Sequence, residues 1–206
     1  MPHDYDVVVI GAGAAGLAVS IFAAETAQQH RHSLKIAVCD SAQKIGAKIL
    51  VSGGGRCNVT HDEVRPEDFN GSRHIVRNIL AAFDEQSTIR WFASLGVPLK
   101  REETGKLFPV SDSARSVLSA LLRRCEELKV TILTQHRVSD VTASIPPYPS
   151  ALPREERQLS IAEQQSMFSI QHEQGTCHAR RVIFATGGKS LSRTGSDGSG
   201  WDIVKR

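Results

Sequence analysis

VVVIGAGAAGLA, residues 7–18, carries the reading of the fold. Val7, Val8, Val9 and Ile10 are β-branched and apolar throughout, as in a strand buried on both faces. After the glycines, Leu17, Ile21 and Ala24 recur at helical spacing. Residues 34–40 then read as a second strand that ends on Asp40. Strand, glycine turn, helix and strand make a βαβ unit with a parallel sheet. Gly11, Ala12, Gly13, Ala14, Ala15 and Gly16 fit GxGxxG at the point where strand becomes helix. In that pattern Gly11 permits the tight turn, Gly13 lets a pyrophosphate approach the backbone, and Gly16 lets helix and strand pack closely. Free N–H groups and the helix dipole would hold the phosphates. A glycine turn without a ligand is the plainer alternative. Asp40 weighs against it, because a strand-end acid about 20 residues on accepts hydrogen bonds from ribose hydroxyls. The same charge disfavours a 2′-phosphate. The motif alone does not separate FAD from NAD.

Working outward, residues 7–24 form an uncharged run of 18 residues, close to the minimum for a membrane span. Asp4 and Asp6 precede it where a signal peptide wants positive charge, and its period changes from strand to helix part way along. A membrane partner is therefore not expected. The chain has 206 residues, 40% of them hydrophobic and 23% charged, which suits a globular domain with a real core. Its net charge of +3 and 5% aromatic content give no warrant for nucleic-acid binding. Cys39, Cys57, Cys125 and Cys177 are widely spaced, with no CxxC pair and no Cys/His zinc pattern. They read as reduced thiols in a cytoplasmic protein, with no metal site. The eight histidines show no ligand spacing.

Residues 47–60, rich in glycine and small polar side chains, read as a loop that follows a surface closely. Residues 75–83 and 87–95 have helical periodicity, with Gly96 as a stop. Residues 97–110 read as a hairpin turning at Gly105. Asp112 or Ser113 can cap the next helix, whose stripe is Val117, Leu118, Leu121, Leu122, Cys125 and Leu128. Strands follow at 130–133 and 137–141. Residues 144–165 hold four prolines and read as a mobile surface excursion. Strands at 167–170 and 178–185 are joined by a turn at Gln174 and Gly175. Trp201, Ile203 and Val204 look like the opening turn of an amphipathic helix, as in a truncated chain.

Two further segments bear on the ligand. In KILVSGGGRCN, residues 48–58, three glycines let the main chain lie flat against a ligand, with Arg56 able to pair with an anion and Asn58 able to donate and accept. No GK[ST] follows, so this is not a Walker loop. Cys57 has no neighbouring cysteine and reads as a packed thiol. In RVIFATGG, residues 181–188, a buried strand ends on small residues.

With these strings, and with GKLFPVSDSARSVLSALL at 105–122, the sequence resembles the bacterial BaiN/RdsA family of NAD(P)/FAD-dependent oxidoreductases, also described as aminoacetone oxidase family FAD-binding enzymes. The resemblance implies an α/β, Rossmann-like FAD-binding fold of the glutathione-reductase type, with a parallel central sheet, a β-hairpin and a small antiparallel β-meander. It implies an FAD-binding domain over 1–191, with 192–206 leading into an inserted domain. Gly11, Gly13, Ala15 and Gly16 would line the pyrophosphate and Asp40 the ribose. Lys48, Ser52, Gly53, Gly54, Gly55, Arg56, Cys57 and Asn58 would run beside the flavin and its phosphates. Val138 would bond the adenine through its backbone, and Ala185, Thr186 and Gly187 would close the adenosine side. The implied activity is hydride transfer between FAD and NAD(P)H or a small organic substrate, with no side chain standing out as a catalytic residue. An NAD-binding module, an inactive FAD-domain fragment and a tRNA-associated flavoprotein are the alternatives. Oligomeric state is not legible.

Overall fold

The computed structural model describes residues 3–144, 167–190 and 194–205. The surface excursion expected at 144–165 lies outside these residues from 145 onward. The chain divides into two compact units, residues 1–45 with 125–206, and residues 46–124.

The first unit is built on the strand that opens the motif. Strand β1 (Tyr5–Ile10) leads into helix α1 (Ala14–Gln29) and strand β2 (Ile36–Cys39). Later strands are β6 (Thr131–Leu133), β7 (Val138–Ser144), β8 (Met167–His172) and β9 (Gly175–Phe184). They join in one sheet of order β6-β2-β1-β9-β8-β7. The first four run parallel, with Val8 opposite Ala37 on one side and Val182 on the other. The last three form the antiparallel meander, β9 being long enough to serve both parts. Val8 and Val9 are completely buried, which explains why β1 carries no polar alternation.

The core of this unit gathers Val8 and Ile10 of β1 and Ala37 and Cys39 of β2 with Val138, Ile170, Cys177 and Ala179 of the meander. Alternate residues of β1 point to one face, so meander residues cover the Val8 and Ile10 side. Helix α1 buries Gly16, Leu17, Ser20, Ile21, Ala24 and Ala27. The buried Ser20 hydroxyl is satisfied by donating to the Gly16 carbonyl at 2.7 Å.

Cys39 and Cys177, 138 positions apart, meet in this core. A hydrogen bond with Cys177, together with burial, holds the Cys39 thiol well above its usual range. Burial pushes Cys125 up to about 11. Thiols raised in this way, Cys39 and Cys125, fill space and are poor nucleophiles.

The final helix, α6 (Ser199–Val204), exists as the sequence suggests. Ile203 enters the core, but Trp201 and Val204 are mostly exposed. Among the described residues, no helix is long and apolar enough to cross a membrane.

The second unit starts with helix α2 (Ala47–Val51) and a 3-10 turn (Ser52–Gly55). The segment expected to be a loop at 47–60 is therefore partly helical. Its small residues tolerate a short helix that then breaks into left-handed backbone at Gly53 and Gly54. Strand β3 (Thr60–His61), helices α3 (Arg73–Ala82) and α4 (Glu85–Ser94), and strands β4 (Leu99–Arg101) and β5 (Lys106–Pro109) follow. The expected hairpin forms, and β3 adds a third strand in the order β3-β5-β4. Asp84 caps α4 by accepting the Ser87 N–H at 2.7 Å. Helix α3 has the expected periodicity but buries none of its residues, and Ile75 and Ile79 stay exposed.

Helix α5 (Ala114–Glu127) begins one residue after Ser113. Of the two offered caps, Ser113 directly precedes the helix, and the Asp112 carboxylate is engaged by Lys100. Val117, Leu121 and Cys125 are buried as the stripe predicts, as is Leu128 just past the helix. Leu118 and Leu122 are half-buried, while Ala114 and Ala120 occupy core positions. Small side chains let the helix lie close at those points.

Candidate functional site

In the first unit, the turn after β1 is fixed from three directions. Gly11 donates to the Cys39 carbonyl at 2.8 Å, and Ala185 donates to the Ile10 carbonyl at 2.8 Å. Asp40 accepts the Ala12 N–H at 2.6 Å and the Ala42 N–H at 2.8 Å. The turn is thus strapped to the carboxyl ends of β2 and β9, where ligands bind in open α/β sheets.

The three motif glycines differ in what they do. Gly11 has φ +105°, and a Cβ there would lie 2.6 Å from the Ala185 carbonyl oxygen. A Cβ on Gly16 would lie 1.8 Å from the Gly11 carbonyl oxygen. Both glycines are needed for the chain to fold as it does. Gly13 is not: its φ of −78° suits any residue, and a Cβ would meet no atom within 4 Å. The space over Gly13 is open, and Ala14 and Ala15 beside it are exposed.

Gly13 caps α1 with no side chain bonded to the helix start, and the first turn holds no acid. The N–H groups of Ala14, Ala15 and Gly16 have no acceptor four residues back. An anion is the natural complement to that arrangement.

Ala185, Thr186 and Gly187 leave β9 beside this turn. Thr186 packs so closely on α6 that a Cβ on Gly200 would lie 2.1 Å from its hydroxyl. Trp201 covers Gly188 in the same way, at 3.4 Å from a Cβ there. Val138 is buried at the start of β7, opposite His172 at an irregularity in the pairing. The segment before it is tied to Asp40: His136 donates its N–H to the Asp40 carbonyl at 2.8 Å, and Gln135 donates to Ala42 at 3.2 Å. The structure therefore brings Gly11, Gly13, Gly16, Asp40, Ala185 and Thr186 together, with Val138 reached through the Asp40 segment. The His136 and His172 rings, absent from the sequence reading, sit 4.7 Å apart on that side. Burial and His136 hold His172 below its usual pKa.

Asp197 anchors the segment that leads into α6. It accepts the Ser199 N–H at 3.0 Å and pairs with Arg137. The Ser199 N–H and the Arg137 guanidinium hold its carboxyl far below the usual range. A depressed carboxylate stabilises the fold above its unfolded pKa of about 4, and that contribution fades as pH falls. Asp197→Asn should therefore lower the urea midpoint at pH 7 and have a smaller effect at pH 3. An undiminished difference at pH 3 would rule out this linkage.

In the second unit, the glycine segment forms a left-handed arc. Gly53, Gly54, Gly55 and Cys57 have φ of 55°, 68°, 87° and 64°. Cys57 donates its N–H to the Ser52 carbonyl at 3.0 Å and closes the arc. The Ser52 hydroxyl donates to the Ile49 carbonyl at 2.8 Å. A Cβ on Gly53 would strike Phe108 at 2.7 Å, whereas Gly54 is open and Gly55 meets nothing nearer than 3.8 Å. Cys57 is buried, Asn58 is exposed and Lys48 is half-buried on α2. Arg56, read from sequence as a partner for an anion, has its guanidinium on Glu102 and Asp112. Those acids lie 46 and 56 residues away in sequence, so only the folded β4–β5 region reveals them.

The chain is similar to proteins of stated activity. It is 31% identical over 198 residues to a 3-dehydro-bile acid delta(4,6)-reductase of Clostridium scindens, covering 96% of this chain and 42% of that protein. It is 31% identical over 200 residues to a ribosomal RNA dihydrouridine synthase of Haemophilus influenzae, covering 97% and 44% respectively. The chain thus spans less than half the length of these relatives. In fold it resembles a flavocytochrome c3 fumarate reductase in its open conformation, with TM-score 0.58 at 17% identity over 98% of this chain and 40% of that one. A 3-ketosteroid-delta4-(5alpha)-dehydrogenase from Rhodococcus jostii RHA1 gives TM-score 0.56 at 17% identity, over 91% and 47%. Residues 5–206 match the HI0933-like protein Rossmann domain, and the chain belongs to that family.

Proposed function

We propose that this chain holds the ADP half of FAD and serves a flavin-dependent oxidoreductase. The observation that carries the reading is Gly13. Packing does not require a glycine there, and the missing side chain leaves the helix start open to a diphosphate. Ala14, Ala15 and Gly16 would donate N–H groups to it, Gly11 would keep the turn tight, and Asp40 would accept from the ribose with the lone pairs its two amide bonds leave free. Val138 would meet the adenine through its backbone, and Ala185, Thr186 and Gly187 would flank the adenosine. By family resemblance alone, Lys48 and the arc Ser52, Gly53, Gly54, Gly55, Arg56, Cys57 and Asn58 are assigned to the flavin end.

When bound, FAD supplies the two-electron chemistry, and the protein contributes binding, orientation and electrostatics. One relative is named for a reductase and the other for making dihydrouridine, so the reaction assigned here is a reduction, with NAD(P)H as the reductant. The substrate proposed is a small organic molecule, and buried free thiols fit a cytoplasmic setting.

The test separates ligand space from folding. Gly13→Val should lose no more than about 1 kcal/mol of stability, the scale of a poorer N-cap residue, because a Cβ there meets no protein atom within 4 Å. It should lose bound FAD, read from the flavin absorbance of the purified protein against wild type. A Gly13→Val protein with full flavin occupancy would sink the assignment. Displacement of FAD by NAD from the wild-type protein would favour the NAD-module reading instead.

A further inference from the structure

The structure assigns Arg56 to a positioning role: it clamps the glycine arc onto Phe108 and is withheld from the cofactor's phosphates. The bearing on flavin rests on the proposed function, but the clamp itself does not.

Four observations in the second unit converge on it. The Arg56 guanidinium lies over the Phe108 ring, 4.1 Å from the centroid. One of its nitrogens bonds Glu102 closely and a second reaches Glu102 at 3.5 Å. Asp112 stands 3.6 Å from the same group and also holds Lys100. On the arc, Gly53 sits so close to Phe108 that a Cβ would come within 2.7 Å. Phe108 is 3% exposed and fixed in β5, so it is a rigid floor.

Gly53, Gly54, Gly55 and Cys57 have left-handed backbone, a conformation glycine tolerates but does not enforce, and the Cys57 and Arg56 N–H groups return to Ser52 and Gly53. A planar guanidinium can lie flat on a ring while its fork faces a carboxylate in the same plane, a geometry that a compact ammonium does not reproduce. Arg56 and Lys100 against Glu102 and Asp112 also balance in charge. To turn the edge of its fork that faces Glu102 onto a phosphate, Arg56 would have to give up this pairing.

The two roles predict opposite signs for Glu102→Gln. If Arg56 is a clamp, the variant loosens the arc and weakens FAD binding about tenfold, as expected for one charge-assisted pair lost. If Arg56 binds phosphate, freeing it from Glu102 tightens FAD binding and steepens its salt dependence. A second readout needs no flavin. Cys57 is 8% exposed and adjoins Arg56, so its alkylation rate, followed by peptide mapping, reports on the arc.

Arg56→Lys keeps the charge but loses the fork and the stacking. It should match Glu102→Gln in both faster Cys57 alkylation and altered fine structure of the bound flavin spectrum. Tighter FAD binding in Glu102→Gln, wild-type Cys57 reactivity in both variants, or full rescue by lysine would overturn the clamp. Failure of the wild-type protein to take up FAD would count against the proposed function alone, since the Cys57 measurement would still decide the clamp.

Discussion

Gly16→Ala should cost about 3 kcal/mol of stability or more, at the upper end of overpacking penalties. The added Cβ would sit 1.8 Å from the Gly11 carbonyl oxygen and 3.4 Å from the Ala185 side chain. The first neighbour is backbone and cannot swing aside. The turn is itself held by hydrogen bonds to β2 and β9, so relief would have to come from lifting α1 off the sheet. That would uncover Leu17 and Ile21, both completely buried. Urea unfolding of Gly16→Ala against wild type measures the loss. The comparison with Gly13→Val is the informative one, since both substitutions fall in the same motif. Equal destabilisation of the two variants would show that the space over Gly13 is not open as described.

The second large effect is expected at Asp40. Asp40→Ala leaves the Ala12 and Ala42 N–H groups without their carboxylate. Each unmet amide costs about 1–3 kcal/mol when water cannot replace the partner. Asp40 is half-buried, so the lower half of the range applies, about 2–4 kcal/mol for the pair. Asp40→Asn should recover part of this. An amide offers one oxygen, and its NH2 group opposes the second N–H donor. The order wild type, asparagine, alanine in unfolding midpoint is the expected result, with FAD retention falling in the same order. An alanine variant as stable as wild type would show that the carboxylate does not strap the turn.

Much of the first unit was readable from residue patterns. The strand, turn and helix of residues 5–29 appear where periodicity puts them, because a buried parallel strand and the helix after it are specified locally. The reading also found Asp40, but only as a ribose partner. Its grip on Ala12 and Ala42 depends on β2 ending beside the glycine turn, which no spacing along the chain reveals. The loop reading of 47–60 missed α2, since a five-residue helix shows too few turns for a period. Spacing offered Asp112 or Ser113 as a cap of α5 and did not show that Lys100 and Arg56 meet the Asp112 carboxylate across the β4–β5 region. Helix α3 was legible as a helix, while its lack of any buried residue was not, because periodicity says which residues share a face and not what lies against it.

By itself the amino-acid order determined the βαβ opening, the glycine turn and the strand-end acid, because steric limits on a few neighbouring residues leave little choice there. Tertiary structure alone decided which glycines serve folding and which leaves room for a ligand. Gly11, Gly13 and Gly16 look alike in the string, and they differ in backbone conformation and in how near Ala185 or another part of the turn comes to the missing Cβ. It also decided that the charge on Arg56 is met by Glu102 and Asp112. Long-range ion pairs follow from where strands are brought together, and that register is not written at any single position.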